Sequence, residues 1–181
     1  MRSLETERLI LRAIRREDTQ TIFENWANDP EVTRYMQWCP HESVDVTHRI
    51  MDAWLEDYKN DDCFRYGIER RSDHELMGMI DVVRIDDGVP VIGYCSGKRY
   101  WGNGYMTEAL NAVLRELFSA GYEAVTISAV KENIGSNRVI QKAGLHLVGT
   151  EEGPLSASKP VIVTVNNYRL EKADWLEHNR G

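Results

Sequence analysis

The sequence predicts a mixed α/β fold: a largely antiparallel sheet of about six to seven strands, a central parallel pair within it, and about four flanking helices. Three observations point there. Segments 63–70, 76–85 and 89–96 read as short strands separated by the turn signals Arg71-Ser72-Asp73-His74 and Asp86-Asp87-Gly88, which is the pattern of an antiparallel meander. The third of these strands runs through a glycine corner into a helix at 106–120, and a strand at 123–130 follows. Such a strand–helix–strand crossover makes its two strands parallel neighbours. Lastly, Leu110, Val113, Leu114, Leu117 and Phe118 recur at helical spacing, with Gly121 as terminator.

The remaining elements follow in chain order. Segment 7–14 reads as a strand with Leu9 and Leu11 on one face. Glu17-Asp18 suits a helix start, Ile22, Phe23 and Trp26 give that helix its apolar stripe, and Pro30 stops it. Residues 33–39 are irregular and rich in large side chains. Tyr35, Met36 and Trp38 there are either core packing or a wall of a substrate pocket. After Pro40, Ile50, Met51, Trp54, Leu55 and Tyr58 mark a second helix, ended by Asn60-Asp61-Asp62. Segment 123–130 alternates with Val125, Ile127 and Ala129 on one face. A helix at 136–143 ends at Gly144. Segments 145–150 and 161–170 are the last strands, with Gly153-Pro154 and Lys159-Pro160 punctuating a loop between them.

Composition bounds the class. The 181 residues are expected to form one domain, 1–181, and 42% apolar with 28% charged residues is ordinary for a soluble chain. No run of about 18 apolar residues indicates a membrane span, and the opening Met1-Arg2-Ser3-Leu4-Glu5 lacks the apolar core of a signal peptide. Cys39, Cys63 and Cys95 are odd in number and lack CxxC spacing, so reduced thiols and a cytoplasmic location are expected. No HxxxH pair exists, so no metal site is expected. A net charge of −7 disfavours nucleic acid; it suits a cationic partner, or simply solubility.

The chemistry concentrates at the corner. In Tyr100-Trp101-Gly102-Asn103-Gly104-Tyr105, the glycines free the backbone and leave no side chain between the helix-start amides and an approaching phosphate. A dinucleotide fingerprint would need a third glycine at Thr107, and a P-loop would need Ser or Thr where Arg99 follows Gly97-Lys98. What remains, Arg99-x-x-Gly102-x-Gly104 opening a helix, resembles the acetyl-CoA signature of the GNAT N-acetyltransferases. The flanking Tyr100–Tyr105 run, Thr107-Glu108-Ala109, the opening Leu4–Arg12, the Glu17-Asp18 pair and Asn28-Asp29-Pro30-Glu31-Val32 resemble the branch that contains the ribosomal-protein alanine N-acetyltransferases. The resemblance implies that Ser96, Arg99, Gly102, Asn103, Gly104, Tyr105, Met106 and Thr107 bind the cofactor.

A second stretch, Asn133-Ile134-Gly135-Ser136-Asn137-Arg138, is on its own a helix-capping signal. It also resembles the GNAT motif whose helix lies beside the pantetheine arm, itself wedged between two splayed parallel strands. By that resemblance Asn133, Asn137 and Arg138 contact the cofactor. The position of the frequent catalytic tyrosine is Ile140, which leaves Ser136 to assist the departing thiolate. The oxyanion would take a backbone donor from the strand near Tyr94–Ser96. Val91 stands where relatives often carry a glutamate base; Asp81 is then either a proton acceptor or a solvent-facing strand residue. Glu108 fits support of the helix start, and Cys95 a small buried residue.

The implied reaction moves an acetyl group from acetyl-CoA to a primary amine, a protein N-terminal α-amine in this branch. A small-molecule amine acetyltransferase is the alternative within enzymes, and a non-catalytic acyl-CoA-binding module the alternative outside them. The expected partners are acetyl-CoA and an amine acceptor, with no nucleic acid and no membrane, in a monomer or homodimer.

Overall fold

The computed structural model describes residues 2–60 and 62–178; Asp61, from the expected helix end, lies outside them. Among the described residues, one eight-stranded sheet runs in the order β1-β2-β3-β4-β5-β6-β8-β7. Its strands are β1 (Leu4–Glu5), β2 (Leu9–Arg12), β3 (Arg65–Arg70), β4 (Leu76–Asp86), β5 (Val89–Ser96), β6 (Ala124–Val130), β7 (His146–Ser156) and β8 (Lys159–Glu171). Neighbours pair antiparallel except β5 and β6, which are parallel. The expected six to seven strands become eight because β1 folds back on β2, with Leu4 opposite Leu11.

Helices cover both faces. On one lie α1 (Thr19–Ile22), α2 (Pro30–Thr33) and α3 (Val44–Asp57); on the other, α4 (Tyr105–Ser119) and α5 (Ile134–Lys142). Under the first group, Ile22, Trp26, Val32 and Met51 meet Met79 and Cys95. Under the second, Leu110, Val113, Leu114 and Leu117 of α4 and Ile140 of α5 meet Leu9, Leu11, Ile80, Ile92, Val125 and Tyr168. From Met79 onward, the period-2 alternation of β4 and β5 therefore feeds two cores, odd residues (Met79, Cys95) to the first and even residues (Ile80, Ile92) to the second. That division later separates the two sides of the site.

Two expectations are corrected. α1 runs on into a π turn at Phe23–Ala27, and Pro30 opens α2 rather than merely stopping the helix before it. Proline suits a first helical position because its missing N–H would have no partner there, and the Asp29 side chain caps the turn by accepting from Glu31 N–H at 2.8 Å. The expected loop after residue 150 is instead a long hairpin: Gly153-Pro154 and Lys159-Pro160 sit inside β7 and β8, with Ser156 opposite Lys159. β7 is an edge strand, where a proline can stand without breaking a ladder. After β8, α6 (Lys172–His178) sets Trp175 against Phe118 at 5.3 Å between ring centroids.

Gly78 shows how tightly the end of β5 is held. A Cβ there would collide with the Cys95 carbonyl oxygen and lie 2.7 Å from Ser96 Cβ. Gly78→Ala should therefore lower stability by about 1–3 kcal/mol, as overpacking does. At Gly149 an added Cβ meets nothing within 4 Å, and Gly149→Ala should stay within about 0.5 kcal/mol in the same denaturant titration.

Candidate active site

The site begins with a missing ladder. Between β5 and β6 the register consists of one pair, Val91 opposite Thr126, and beyond it the strands part. Gly97 N–H donates to Met77 O at 2.9 Å, so the odd residues of β5 direct their amides to β4. The Tyr94 N–H consequently points into the gap. Likewise Lys131 N–H donates to Thr164 O at 2.8 Å, which turns the odd residues of β6 to β8 and leaves the backbone of Ser128 facing the gap. Two strand edges thus present unpaired amide groups to each other, an arrangement an extended amide chain can fill.

The glycine corner stands beside this gap. Lys98–Tyr100 makes one 3-10 turn, and Gly102 and Gly104 take φ of +77° and +78°, values that favour glycine. Gly104 caps α4, accepting from Glu108 N–H at 3.1 Å. The N–H groups that open the helix have no intrahelical acceptor, and the helix dipole makes their end positive. Nothing lies within 4 Å of a Cβ placed on Gly102, so the approach is open.

Glu108 braces the corner rather than serving as a ligand. Its carboxylate accepts from Thr6 Oγ1 at 2.6 Å, Arg8 N–H at 2.9 Å and Arg8 Nε at 2.7 Å. Burial opposes its charge, but these donors outweigh burial and hold the carboxyl below its usual range. Arg8 in turn lies over the Tyr105 ring at 4.6 Å and donates to Asn103 O at 3.0 Å. Asn103 folds its amide back onto Tyr100 O and Trp101 O, and Ser96 O accepts from Trp101 Nε1 at 2.9 Å. Arg99 bonds Tyr100, Asn25 and Glu75, which ties the corner to the π turn. Tyr105 and Met106 pack against the α4 core, while Thr107 and Gly104 border a hollow of about 540 Å³ that Arg115 and Lys142 also line. The sequence reading missed Arg8, Arg115 and Lys142. Arg8 meets the corner from about a hundred positions away, and no local pattern announces such a contact.

At the start of α5, Asn133 Oδ1 accepts from Ser136 N–H at 3.2 Å, the expected cap. The Ser136 hydroxyl lies 2.9 Å from the Tyr94 hydroxyl, which also donates to Ser136 O at 3.2 Å. Arg138 is exposed. Asn137, expected to contact the cofactor, has structural partners. It is buried, its amide N–H groups donate to Val130 O and Asn133 O, and its oxygen accepts from Asn166 and Tyr168, so it ties α5 to β6 and β8.

The opposite face carries Asp81. It is 8% exposed, not solvent-facing, because helices cover both sides of β4. It sits opposite Gly93, on the same face as Val91, and accepts from Arg65 Nε at 3.2 Å. Burial raises its pKa, with Arg65 opposing. Cys95 on that face is buried, and burial pushes its thiol up to about 12, so it stays a neutral packing residue. Nearby, the β7–β8 tip docks on the 33–39 segment: Lys159 Nζ donates to Thr33 O at 2.6 Å and Ser158 Oγ to Gln37 O at 3.2 Å. Tyr35, Glu132 and Glu152 help line a second hollow of about 720 Å³ there, whereas Met36 and Trp38 pack against the core. Among the described residues no group of side chains could hold a metal ion, and no helix is long and apolar enough to cross a membrane.

The model of the Acetyltransferase (GNAT) domain matches residues 8–146. The uncharacterized N-acetyltransferase YoaA of Bacillus subtilis (strain 168) is 34% identical over 149 residues, covering 81% of this chain and 84% of that protein. Two solved structures share the fold at 18% identity. One is RimL, the ribosomal L7/L12 alpha-N-protein acetyltransferase in complex with coenzyme A, with a TM-score of 0.82 over 94% of this chain and 98% of that one. The other is the microcin C7 self-immunity acetyltransferase MccE with acetyl-CoA and AMP, with a TM-score of 0.80 over 92% and 93%. Parted parallel strands, a glycine-opened helix and the matching domain model together make the chain a member of the GNAT family of acetyl-CoA-dependent N-acetyltransferases.

Proposed function

We propose that the chain transfers the acetyl group to the α-amine at a protein N-terminus. The observation that carries the site assignment is that the glycine corner, the parted strands and Ser136 adjoin, one of them beside the next. The diphosphate of acetyl-CoA sits at the N–H groups of residues 102–107, with Arg8, Arg115 and Lys142 as nearby cations. Its pantetheine amides pair with the free backbone of β5 and β6, and the thioester carbonyl meets the Tyr94 N–H. A neutral amine attacks the carbonyl carbon. The C–S bond then breaks, Ser136 O–H bonds the departing thiolate, and the proton shed by nitrogen goes to Asp81, directly or through water. An α-amine, with a pKa of about 8, is more often neutral near pH 7 than a lysine amine at about 10.4. The shared fold with RimL, named for α-N-protein acetylation, supports the same acceptor class.

Two experiments test this. Acetyl-CoA at a hundredfold excess over its Kd should stabilise the protein by about 2.7 kcal/mol, a rise in Tm of roughly 5–10 °C. Gly104→Glu, which strains a left-handed position and sets a carboxylate in the cradle, should abolish that rise. A thiol-release assay with N-terminal peptides and small amines should then show turnover with peptides. Turnover confined to polyamines or amino-acid analogues would replace the acceptor, and none at all beside tight CoA binding would leave a binding module.

The base has its own signature. Asp81 must be ionised to accept a proton, so its raised pKa places the acidic limb of kcat/KM above the ordinary carboxylate value of 3.8. Asp81→Asn should remove that limb and lower kcat/KM about a hundredfold. An unchanged limb would dismiss Asp81.

A further inference from the structure

Tyr94 belongs to neither the glycine corner nor the α5 motif, yet its hydroxyl reaches across the mouth of the gap to the first turn of α5. Its ring packs against the α4 core from an even position of β5, which fixes where the hydroxyl can go. Burial pushes the phenol above its ordinary range, its bond with Ser136 offsetting part of that, so it keeps its proton at any working pH. The cap from Asn133 holds the Ser136 backbone but not its hydroxyl. A serine hydroxyl near a helix start otherwise rotates freely among staggered wells or bonds back to its own helix.

We propose that Tyr94 is a positioning residue for acetyl transfer: its phenol donates to Ser136 Oγ and so turns the Ser136 O–H toward the thioester sulfur. The inference rests on the acetyl-transfer mechanism above. Each hydroxyl has one proton, and the division of labour follows from that. While Tyr94 donates to Ser136 Oγ, the serine proton is free for a third atom. While Tyr94 donates to Ser136 O instead, the serine proton falls back on the phenol oxygen. The first arrangement is favoured as charge develops on sulfur, because a bond to an ionised acceptor is about twice as strong as a neutral one. Tyr94 loses no proton at any stage. The bond that breaks is C–S, and the thiolate receives only the serine hydrogen bond.

Tyr94→Phe keeps the ring and removes the hydroxyl. It should lower kcat about tenfold while leaving the KM for acetyl-CoA and the melting temperature nearly unchanged. Ser136→Ala should cost at least as much, and the double variant no more than Ser136→Ala alone, because the tyrosine acts through the serine. Unchanged kcat in Tyr94→Phe, or losses that multiply in the double variant, would overturn the proposal. A second readout needs no turnover. In protein labelled at tyrosine Cζ, the Tyr94 signal, identified by its absence in Tyr94→Phe, should move when CoA is added and move far less in Ser136→Ala. A signal that ignores CoA, or moves equally in both proteins, would overturn it as well. Absent turnover with every acceptor, by contrast, would count against the acetyl-transfer mechanism, and the labelled signal would still decide the role of Tyr94.

Discussion

Val91 and Thr126 form the one register pair between β5 and β6, and the chemistry depends on what happens past it. A parallel pair needs a crossover, and here the crossover is α4, which starts at the glycine corner. The same turn that carries the chain away from β5 therefore also exposes a helix N-terminus. Unpaired strand edges and unpaired helix-start amides are both costly when buried without partners. A ligand with a diphosphate at one end and amides along its length satisfies both.

The alternation of β4 and β5 then divides the work. Even residues bring Tyr94 to the α4–α5 side, next to Ser136; odd residues bring Asp81 and Cys95 to the α1–α3 side. In the acetyl transfer proposed above, the residue that would serve the leaving thiolate and the one that would take the amine's proton thus stand on separate faces of the sheet. The α1–α3 side also draws on distant parts of the chain, since Lys159 reaches carbonyls at Thr33 and Met36 to seat the hairpin tip.

Much of this was legible because it rests on local rules. Positive φ at Gly102 and Gly104 is a demand that glycine meets, and the stripe from Leu110 to Phe118 could only be a buried helix face. The crossover rule gave the parallel pair without any relative. Other features failed for identifiable reasons. Asp81 between Ile80 and Val82 looks outward-facing, but outward on a sheet covered twice is inward. Asn137 sits in a cofactor motif, yet its amide is the peg that joins three elements. The Arg8–Glu108 brace joins residues a hundred positions apart, and the Tyr94–Ser136 contact joins residues 42 apart. Neither distance is expressed in any local pattern.

In the reaction proposed above, acetyl-CoA completes the ladder missing between β5 and β6. Amide hydrogen exchange at Tyr94 and Ser128 tests it most directly, because both backbones face the gap. With acetyl-CoA bound, exchange at these two amides should slow by at least about tenfold, while Cys95, already paired with β4, changes little. Equal protection across all of β5, or none at Tyr94 and Ser128 while the Gly102–Thr107 amides slow, would contradict a cofactor lying between the strands.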